Sequence, residues 1–517
     1  MTDTVAPSGE MKRTLTLTGV TVNAMALIAP GAFLWTTFQV QAALTRGSQS
    51  TASDMWTGLL FSLILALLTA YSYSELARVY PDAGTGSSYY FAEAALLDRS
   101  NPKHRRFARF AKLSVGWISH LYYWIYPGIM VAFTATLFGY IYSALFHHTL
   151  TYLPIALVAI AFSIIVGYIA YRGITGSTMT SIVILVIQTI SLVGVSIWFI
   201  SYRVSHPHQA YDIASAAHVV IPHSFINLLY QSTIAILLLV GFESITALGA
   251  EAKRPEKDIK RGVIISLLIQ GGVCYLLEYF AANFAVGAHT MAAAPGQTGY
   301  QAAATNSAPI GTMLETTIGK GGTGVSVLVA LTVLLALIGT TLACLNTGVR
   351  VTYSMAKDKE MPAILGFLHG DFATPHAAIW VLVAISAGLG VFGANPHQVD
   401  NLTQITLASN TGTFLVYGFT CIIAIVAFTS RHDRHPLKHY LVPGIGAMMN
   451  ILELLGVIYI ALNGSGTAPG DAYKALGVVV VWCIIGAVWV MLNPKGKHAK
   501  EVHLDRAEQR QPQTVGS

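Results

Sequence analysis

Two long apolar stretches of this chain are interrupted by residues that cannot continue an α-helix. The first, TLTLTGVTVNAMALIAPGAFLWTTFQVQAAL, breaks at Ala29-Pro30-Gly31. The second, FINLLYQSTIAILLLVGFESITALGA, breaks at Gly241-Phe242-Glu243. At bilayer depth a break leaves backbone N–H and C=O groups that hydrocarbon cannot satisfy. Such breaks persist only where they line a cavity or hold a ligand. A pair at corresponding places in two halves points to the substrate site of a transporter.

The rest of the chain has the composition this reading needs. It has 517 residues, of which 54% are hydrophobic and 10% charged. Soluble domains carry roughly 25% charged residues. Apolar runs of about 20 residues recur along the length, each able to cross a core of about 30 Å. Twelve spans are expected, centred near Ile28, Leu65, Tyr126, Ala161, Leu192, Leu238, Tyr275, Leu335, Leu382, Cys421, Tyr459 and Ile484. The broken ones are the first and the sixth. The expected fold is therefore an all-α integral membrane protein. It has two five-helix halves of opposite topology, spans one to five and six to ten, with two helices appended. The expected boundaries are an N-terminal tail at 1–14, a transmembrane domain at 15–493 and a disordered tail at 494–517.

Charge placement orients the array. With the N-terminus inside, all but four of the 30 Lys and Arg residues fall on cytosolic segments; the exceptions are Arg46, Arg203, Lys320 and Lys474. This is the positive-inside pattern. It predicts a multi-pass protein of the cytoplasmic membrane with both termini cytosolic. It also accounts for the net charge of +6 without nucleic acid. Membrane lipid is the implied macroscopic partner. The loop between Thr290 and Thr323 predicts a short helix around Gly311–Ile318. The segment Pro81–Leu97 reads as an amphipathic stretch at the cytosolic surface, and PAILGFL near Leu365 as a short helix.

The four cysteines, Cys274, Cys344, Cys421 and Cys483, lie inside apolar runs at spacings that fit neither a zinc site nor a disulfide framework. They read as packing residues. No Walker loop, catalytic metal spacing or nucleophile elbow is present, so neither an enzyme nor an ATP-driven pump is expected, and no cofactor.

Three segments carry a resemblance. They are GFESITALGAEAKRPEKDIKRGVIIS after the second break, YSELARVYPDAGTGSSYYFAEAAL at the end of span two, and NTGVRVTYSMAKDKEMPAILGFLHGDFATPHAAI at the end of span eight. Together they resemble the signatures of the amino acid–polyamine–organocation (APC) transporter superfamily, over about residues 15 to 493. The resemblance implies the inverted-repeat transporter fold, alternating access and substrates such as amino acids or polyamines.

At the first break, Ile28 and Ala29 are expected to line the substrate site, and Pro30 fits the first turn of a new half-helix. Gly31 and Ala32 then offer free N–H groups at the positive end of a helix dipole, a place for a carboxylate. The resembled family often has a Gly-Ser-Gly-type sequence here. Ala29-Pro30 departs from it and leaves room for an amine without a carboxylate. At the second break, the Val240 and Gly241 carbonyls suit a substrate ammonium. Phe242 lies in the break, and Leu237 stands where some relatives carry a Trp gate. Glu243 is an acid at bilayer depth. It either carries a coupling proton, pairs with a substrate amine, or serves as a structural acid bonded to exposed backbone.

Span three, which lines the pocket in the resembled family, contributes His120 and Tyr123, either as substrate contacts or as packing groups. Gln188 of span five occupies the approximate place of a lysine in some proton-coupled relatives. Either its amide bridges spans one, five and eight, with coupling by a proton elsewhere or by exchange, or the space admits sodium. Sodium would take the hydroxyls of Thr340 and Thr341 together with span-one carbonyls; otherwise those hydroxyls bond their own helix. Glu75, Arg78, Glu251, Arg254 and Arg350 are expected to form an inner-gate charge network. Glu278 and Glu453 are further acids in apolar runs with no assigned role. The sequence thus points to a secondary active transporter, by symport or exchange, for an amino acid or related small amine. The alternatives are a polyamine or organic cation carrier and, from another class, a transport-derived receptor or membrane subunit.

Overall fold

The computed structural model describes residues 15–28, 31, 34–47, 49–80, 87–97, 107–173, 178–248, 252–370, 372, 374–395, 400–429, 431–464 and 468–492. The tails expected at 1–14 and 494–517 lie outside them, as do Ala29, Pro30, Ala32 and Glu251. The regular structure of the described residues is helical apart from one antiparallel pair, β1 (Thr45–Arg46) with β2 (Gln49–Ser50), and a single parallel bridge between Leu15 and Ala252.

The expected first span is present as two short helices, α1 (Leu17–Leu27) and α2 (Leu34–Ala42). Thr16 starts α1 by accepting the Gly19 N–H on its hydroxyl. There follow α3 (Met55–Val79), α4 (Ser88–Leu97), α5 (Ala108–Phe146), α6 (Tyr152–Tyr171) and α7 (Thr178–Ser205). After the short α8 (Ala216–Val220) comes α9 (Phe225–Ala235), the first part of the second broken stretch. It tightens into a 3₁₀ turn at Ile236–Leu238, turns at 239–241, and resumes as a 3₁₀ run, Phe242–Leu248. Phe242 and Glu243 thus lie in helical turns of the tighter kind, where a break through Val240–Glu243 was expected.

The seventh stretch joins α10 (Pro255–Leu267) to α11 (Leu276–Ala285) through a π-helical segment, Leu268–Tyr275. Then come α12 (Gly299–Ala304), α13 (Pro309–Ile318), α14 (Gly322–Lys357), α15 (His376–Gly393), α16 (Asp400–Phe428), α17 (Val442–Asn463) and α18 (Ala468–Leu492). Helix α13 is the one expected around Gly311–Ile318. PAILGFL forms a single 3₁₀ turn, Ala363–Gly366.

Eleven described helices are long and apolar enough to cross a membrane. The first broken stretch does not join them, because neither α1 nor α2 is long enough alone. Helices α6, α7, α17 and α18 expose large apolar side chains; on α18 these include Val478, Val481, Ile484, Ile485 and Val488. Such a surface suits lipid rather than water. Helix α4 corrects an expectation. It was read as amphipathic at the surface, yet Tyr89, Phe91, Ala92 and Ala95 are buried against the bundle.

Two groups of helices pack internally. One holds α1, α3, α9, α10 and α11; the other holds α5, α6, α14 and α15. Helices α7 and α16 touch members of both. The two broken stretches meet within the first group. Gly241 has φ +121°, a conformation L side chains rarely adopt, and a Cβ placed there would come 2.7 Å from Cβ of Leu27 at the end of α1. Only glycine lets the two backbones approach this closely. Gly31 is likewise left-handed at φ +76°, and a Cβ on it would stand 2.3 Å from Cδ1 of Leu192 in α7.

Gly241→Ala is therefore expected to destabilise the protein by about 1–3 kcal/mol through backbone strain alone, with overpacking added. Thermal unfolding of the detergent-solubilised protein should show a lower midpoint. Adding Leu27→Ala should recover only the overpacking part. An unchanged midpoint in Gly241→Ala would contradict the close approach.

Candidate functional site

At and just before the two breaks, backbone carbonyls take hydrogen bonds from side chains of other helices, both where a helical partner is lost and where one remains, as at Ser232 O. At the first break, Met25 O accepts from Gln270 Nε2 at 3.3 Å, Ala26 O from the Thr340 hydroxyl at 2.9 Å, and Ile28 O from the Tyr275 hydroxyl at 2.7 Å. Gln270 and Tyr275 both belong to the π-helical segment, whose wider turns re-aim side chains. At the second break, Gln231 O accepts from Gln41 Nε2 at 3.3 Å, Ser232 O from Ser62 at 3.1 Å, Thr233 O from Asn410 Nδ2 at 2.7 Å and Leu237 O from Tyr126 at 3.2 Å. Gly241 O takes both the backbone N–H of Ser244 and its hydroxyl.

Glu243 stands at the centre of this region with 1% of its surface exposed. Its Oε1 accepts from Tyr122 at 2.9 Å and Tyr123 at 3.4 Å. Its Oε2 accepts from Tyr417 at 2.8 Å and from the Gly241 N–H at 3.1 Å. All four partners are neutral. Four donors match the acceptor capacity of an ionised carboxylate; a protonated acid fits the same set if one phenol turns its hydrogen away and accepts. The neighbouring Phe242 packs against Tyr417 and Tyr73, with ring centroids at 5.2 and 6.0 Å. Ile28, Leu237 and Val240 are buried alongside, so the region is closed in this conformation.

The expected site residues divide accordingly. Ile28, Gly31, Tyr123, Leu237, Val240, Gly241, Phe242 and Glu243 are buried at or beside the two breaks. His120 is not among them. Its Nδ1 lies 2.6 Å from Gly116 O and its Nε2 3.1 Å from the Thr352 hydroxyl. Its ring is surrounded by Trp117, Trp124 and Trp482. A polar group so fully engaged and walled by indoles is a packing element between α5, α14 and α18.

Gln188 is fully buried, and neither amide atom has a hydrogen-bond partner among the described residues. The bridge between spans expected of its amide is absent from them. Thr341 bonds Leu337 O of its own helix at 2.6 Å, whereas Thr340 lies between Ala336 O of its own helix and Ala26 O.

At the end of the bundle where α3, α10 and α17 meet, Glu75 takes Arg78 Nε at 2.8 Å, the Lys260 ammonium, and His439 Nε2 at 3.5 Å. Arg78 continues to Asp433. Slight burial raises the Asp433 carboxyl, but its bonds to Arg431 and Arg78 outweigh this and hold it below the usual carboxylate range. Arg254, expected in this network, turns instead to Asp258 on its own helix. Lys260 and His439 were not anticipated. Two surface cavities lie apart from the breaks. One, of about 310 Å³, is lined by Tyr140, His147, Thr312 and Glu315; the other, of about 510 Å³, by Arg78, Glu256, Lys257, Lys260 and Arg261.

Sequence reasoning missed most of the residues that service the breaks, including Tyr122, Tyr126, Gln270, Tyr275, Asn410 and Tyr417. A signal existed for some. Tyr122 and Tyr126 are one helical turn apart, and Asn410 and Tyr417 are two turns apart on one face of an apolar helix.

A bundle of apolar helices with two apposed, side-chain-dressed breaks has the build of a membrane transporter, and the comparisons with known proteins agree. The profile of the amino acid permease family matches residues 13–501. The chain belongs to this family, whose members are amino acid and putrescine permeases of the APC superfamily. It is a multi-pass membrane transporter and not an enzyme. It is 25% identical over 493 residues to the low-affinity putrescine importer PlaP of Escherichia coli, covering 92% of this chain and 94% of the relative. It is 24% identical over 520 residues to the branched-chain amino acid permease BcaP of Bacillus subtilis, covering 96% of each.

Tyr275→Phe and Tyr126→Phe each strip one break carbonyl of its donor at constant shape. Each is expected to lose about 1–3 kcal/mol, the cost of an unsatisfied buried acceptor. Thermal unfolding in lipid nanodiscs measures this. Midpoints equal to the parent in both variants would show that the carbonyls find other partners.

Proposed function

We propose that the protein is a secondary active transporter, by symport or exchange, that carries an amino acid or related small amine across the cytoplasmic membrane by alternating access. Glu243 carries the reading. It is an acid buried against two apposed helix breaks, and its four bonds all come from neutral groups. A substrate ammonium can supply the positive charge that the site itself lacks. We read α1 with α2 as the first of twelve spans, in a five-plus-five inverted repeat with α17 and α18 appended. Both termini and the basic loops are then cytosolic, in keeping with the positive-inside bias. The substrate would lie among Ile28–Ala32, Tyr123, Leu237 and Val240–Glu243.

A polyamine or organic cation carrier is the second reading. Two observations favour it: Pro30 removes an N–H that would hold a carboxylate, and one relative spanning nearly the whole chain is a putrescine importer. Uptake of labelled branched-chain amino acids and of putrescine into proteoliposomes separates the two. Saturable uptake of only the first supports the amino acid reading, and of only the second the polyamine reading. Uptake of neither, nor of any amino acid or amine in a wider panel, would overturn both.

For coupling, the reading favours a proton or substrate exchange over sodium, because the donor end of the Gln188 amide would compete with a cation. Glu243→Gln keeps a group that can donate and accept but cannot titrate. It is expected to abolish pH-driven accumulation; unaltered pH-dependent uptake would make Glu243 a structural acid. Uptake should be indifferent to a sodium gradient at clamped voltage. Sodium stimulation that disappears in Thr340→Ala would reverse the preference.

A further inference from the structure

Glu453 lies in the middle of α17, fully buried, and nothing above uses it. Its Oε1 is 2.5 Å from the hydroxyl of Ser232 in α9, the first half of the second broken stretch. The same hydroxyl lies 2.9 Å from Leu229 O of its own helix. A serine hydroxyl has one hydrogen. If Ser232 gives it to Leu229 O, the contact with Glu453 needs a hydrogen from the carboxyl. With Glu453 as a carboxylic acid donating to Ser232, each contact has its own hydrogen; with Glu453 ionised, the one Ser232 hydrogen must serve Glu453 and leave Leu229 O to its helical N–H.

The surroundings agree. The second oxygen, Oε2, has no hydrogen-bond partner among the described residues. Glu453 is buried and bonded to Ser232, and no charged side chain pairs with it among the described residues. The elements packed on α17 face this seam with neutral groups. From α9 come Ser232 and the phenol of Tyr230; from α3, Ser62 and Thr69; from α16, Asn410 and the thiol of Cys421 near Gly446. Asp471 of α18 is engaged by Gln404. His439, beside α17 at its start, is turned to Glu75. On α17 itself, Asn450 lies one turn before Glu453 on the same face, with its own Oδ1 unpartnered among the described residues. An ionised Glu453 would add charge to a seam already rich in unpaired acceptors, at a high desolvation cost.

We propose that Glu453 is an exchangeable-proton site, distinct from Glu243, that latches the outer half of the second broken helix to α17. Protonated, it donates to Ser232 and closes the seam. Ser62 and Asn410 hold the same half-helix through the carbonyls of Ser232 and Thr233, so Glu453 is the only one of these three holders that titrates. When α9 leaves α17, water reaches the carboxyl, the O–H bond breaks, the proton passes to that water, and the carboxylate stays behind hydrated. The latch itself stands on geometry alone; its use in a transport cycle rests on the transporter reading.

The test uses the full-length protein in lipid, with two readouts. Infrared difference spectra across pH should contain a protonated-carboxyl carbonyl band that titrates and is missing from Glu453→Gln. Ser232→Ala keeps the carboxyl and should move the pH midpoint of that band. Gln can donate to Ser232, so Glu453→Gln should fold, and size-exclusion chromatography checks this. In proteoliposomes, Glu453→Gln should lose the pH response of uptake. A titrating band set that is absent in the parent, or that is the same in Glu453→Gln as in the parent with Glu243→Gln as the common background, overturns the proton site. An unmoved midpoint in Ser232→Ala overturns the latch. A parent that titrates but transports nothing overturns the transporter reading and leaves the latch standing.

Discussion

Every special feature of this structure follows from the demand that a backbone interrupted within a membrane must find hydrogen-bond partners in the protein. The partners come from many directions. Carbonyls at the end of α1 are served by Gln270 and Tyr275 from the seventh stretch and by Thr340 from α14. Those at the end of α9 are served by Gln41 from α2, Ser62 from α3, Asn410 from α16 and Tyr126 from α5. Each break is thereby tied to several other helices at once. The breaks are weak points of two helices and fixed points of the bundle.

This dressing accounts for the buried polar side chains of Gln41, Ser62, Tyr126, Gln270, Tyr275, Thr340 and Asn410, each of which bonds a carbonyl at or near a break. Hydrocarbon makes an unmet carbonyl expensive, so one phenol or amide per carbonyl suffices to select a residue type. It also explains the π-helical stretch of the seventh helix. A π segment costs regular hydrogen bonding but shifts the register of side chains. Here it brings Gln270 and Tyr275, five residues apart, onto carbonyls Met25 and Ile28 of the same half-helix.

How much of this the sequence disclosed depends on whether a feature is local. Apolar runs and helix breakers are local, so the helical membrane class was legible, as was an interruption of the sixth stretch near Gly241, though the structure returns to helical turns at Phe242 and Glu243. The pairing of Leu27 with Gly241 and the four donors to Glu243 are not local. Tyr122, Tyr123 and Tyr417 are separated from Glu243 by more than one hundred residues, and no period in a single sequence encodes that convergence. His120 is a different case. The sequence leaves it open between substrate contact and packing group, because its partners Gly116 and Thr352 and the tryptophan box around it are invisible until α14 and α18 are placed beside α5.

The distribution of charge sets the energetics of movement. At the Glu75 end, Arg78 bonds Asp433 with both side chains partly exposed, an interaction worth about 0–1 kcal/mol. Water can replace it as it parts. The Glu75 carboxylate behind it is buried and holds Arg78, Lys260 and His439, so only the outermost pair of that network parts at little cost. At the centre, Glu243 is held by phenols and an amide that water does not reach, and there each lost bond costs more. An ion pair at Glu243 would have cancelled its charge and removed its attraction for an ammonium or a proton. Neutral donors would lower the cost of a charge on Glu243 without cancelling it, which is what the proposed carrier needs of an acid that meets an ammonium or a proton.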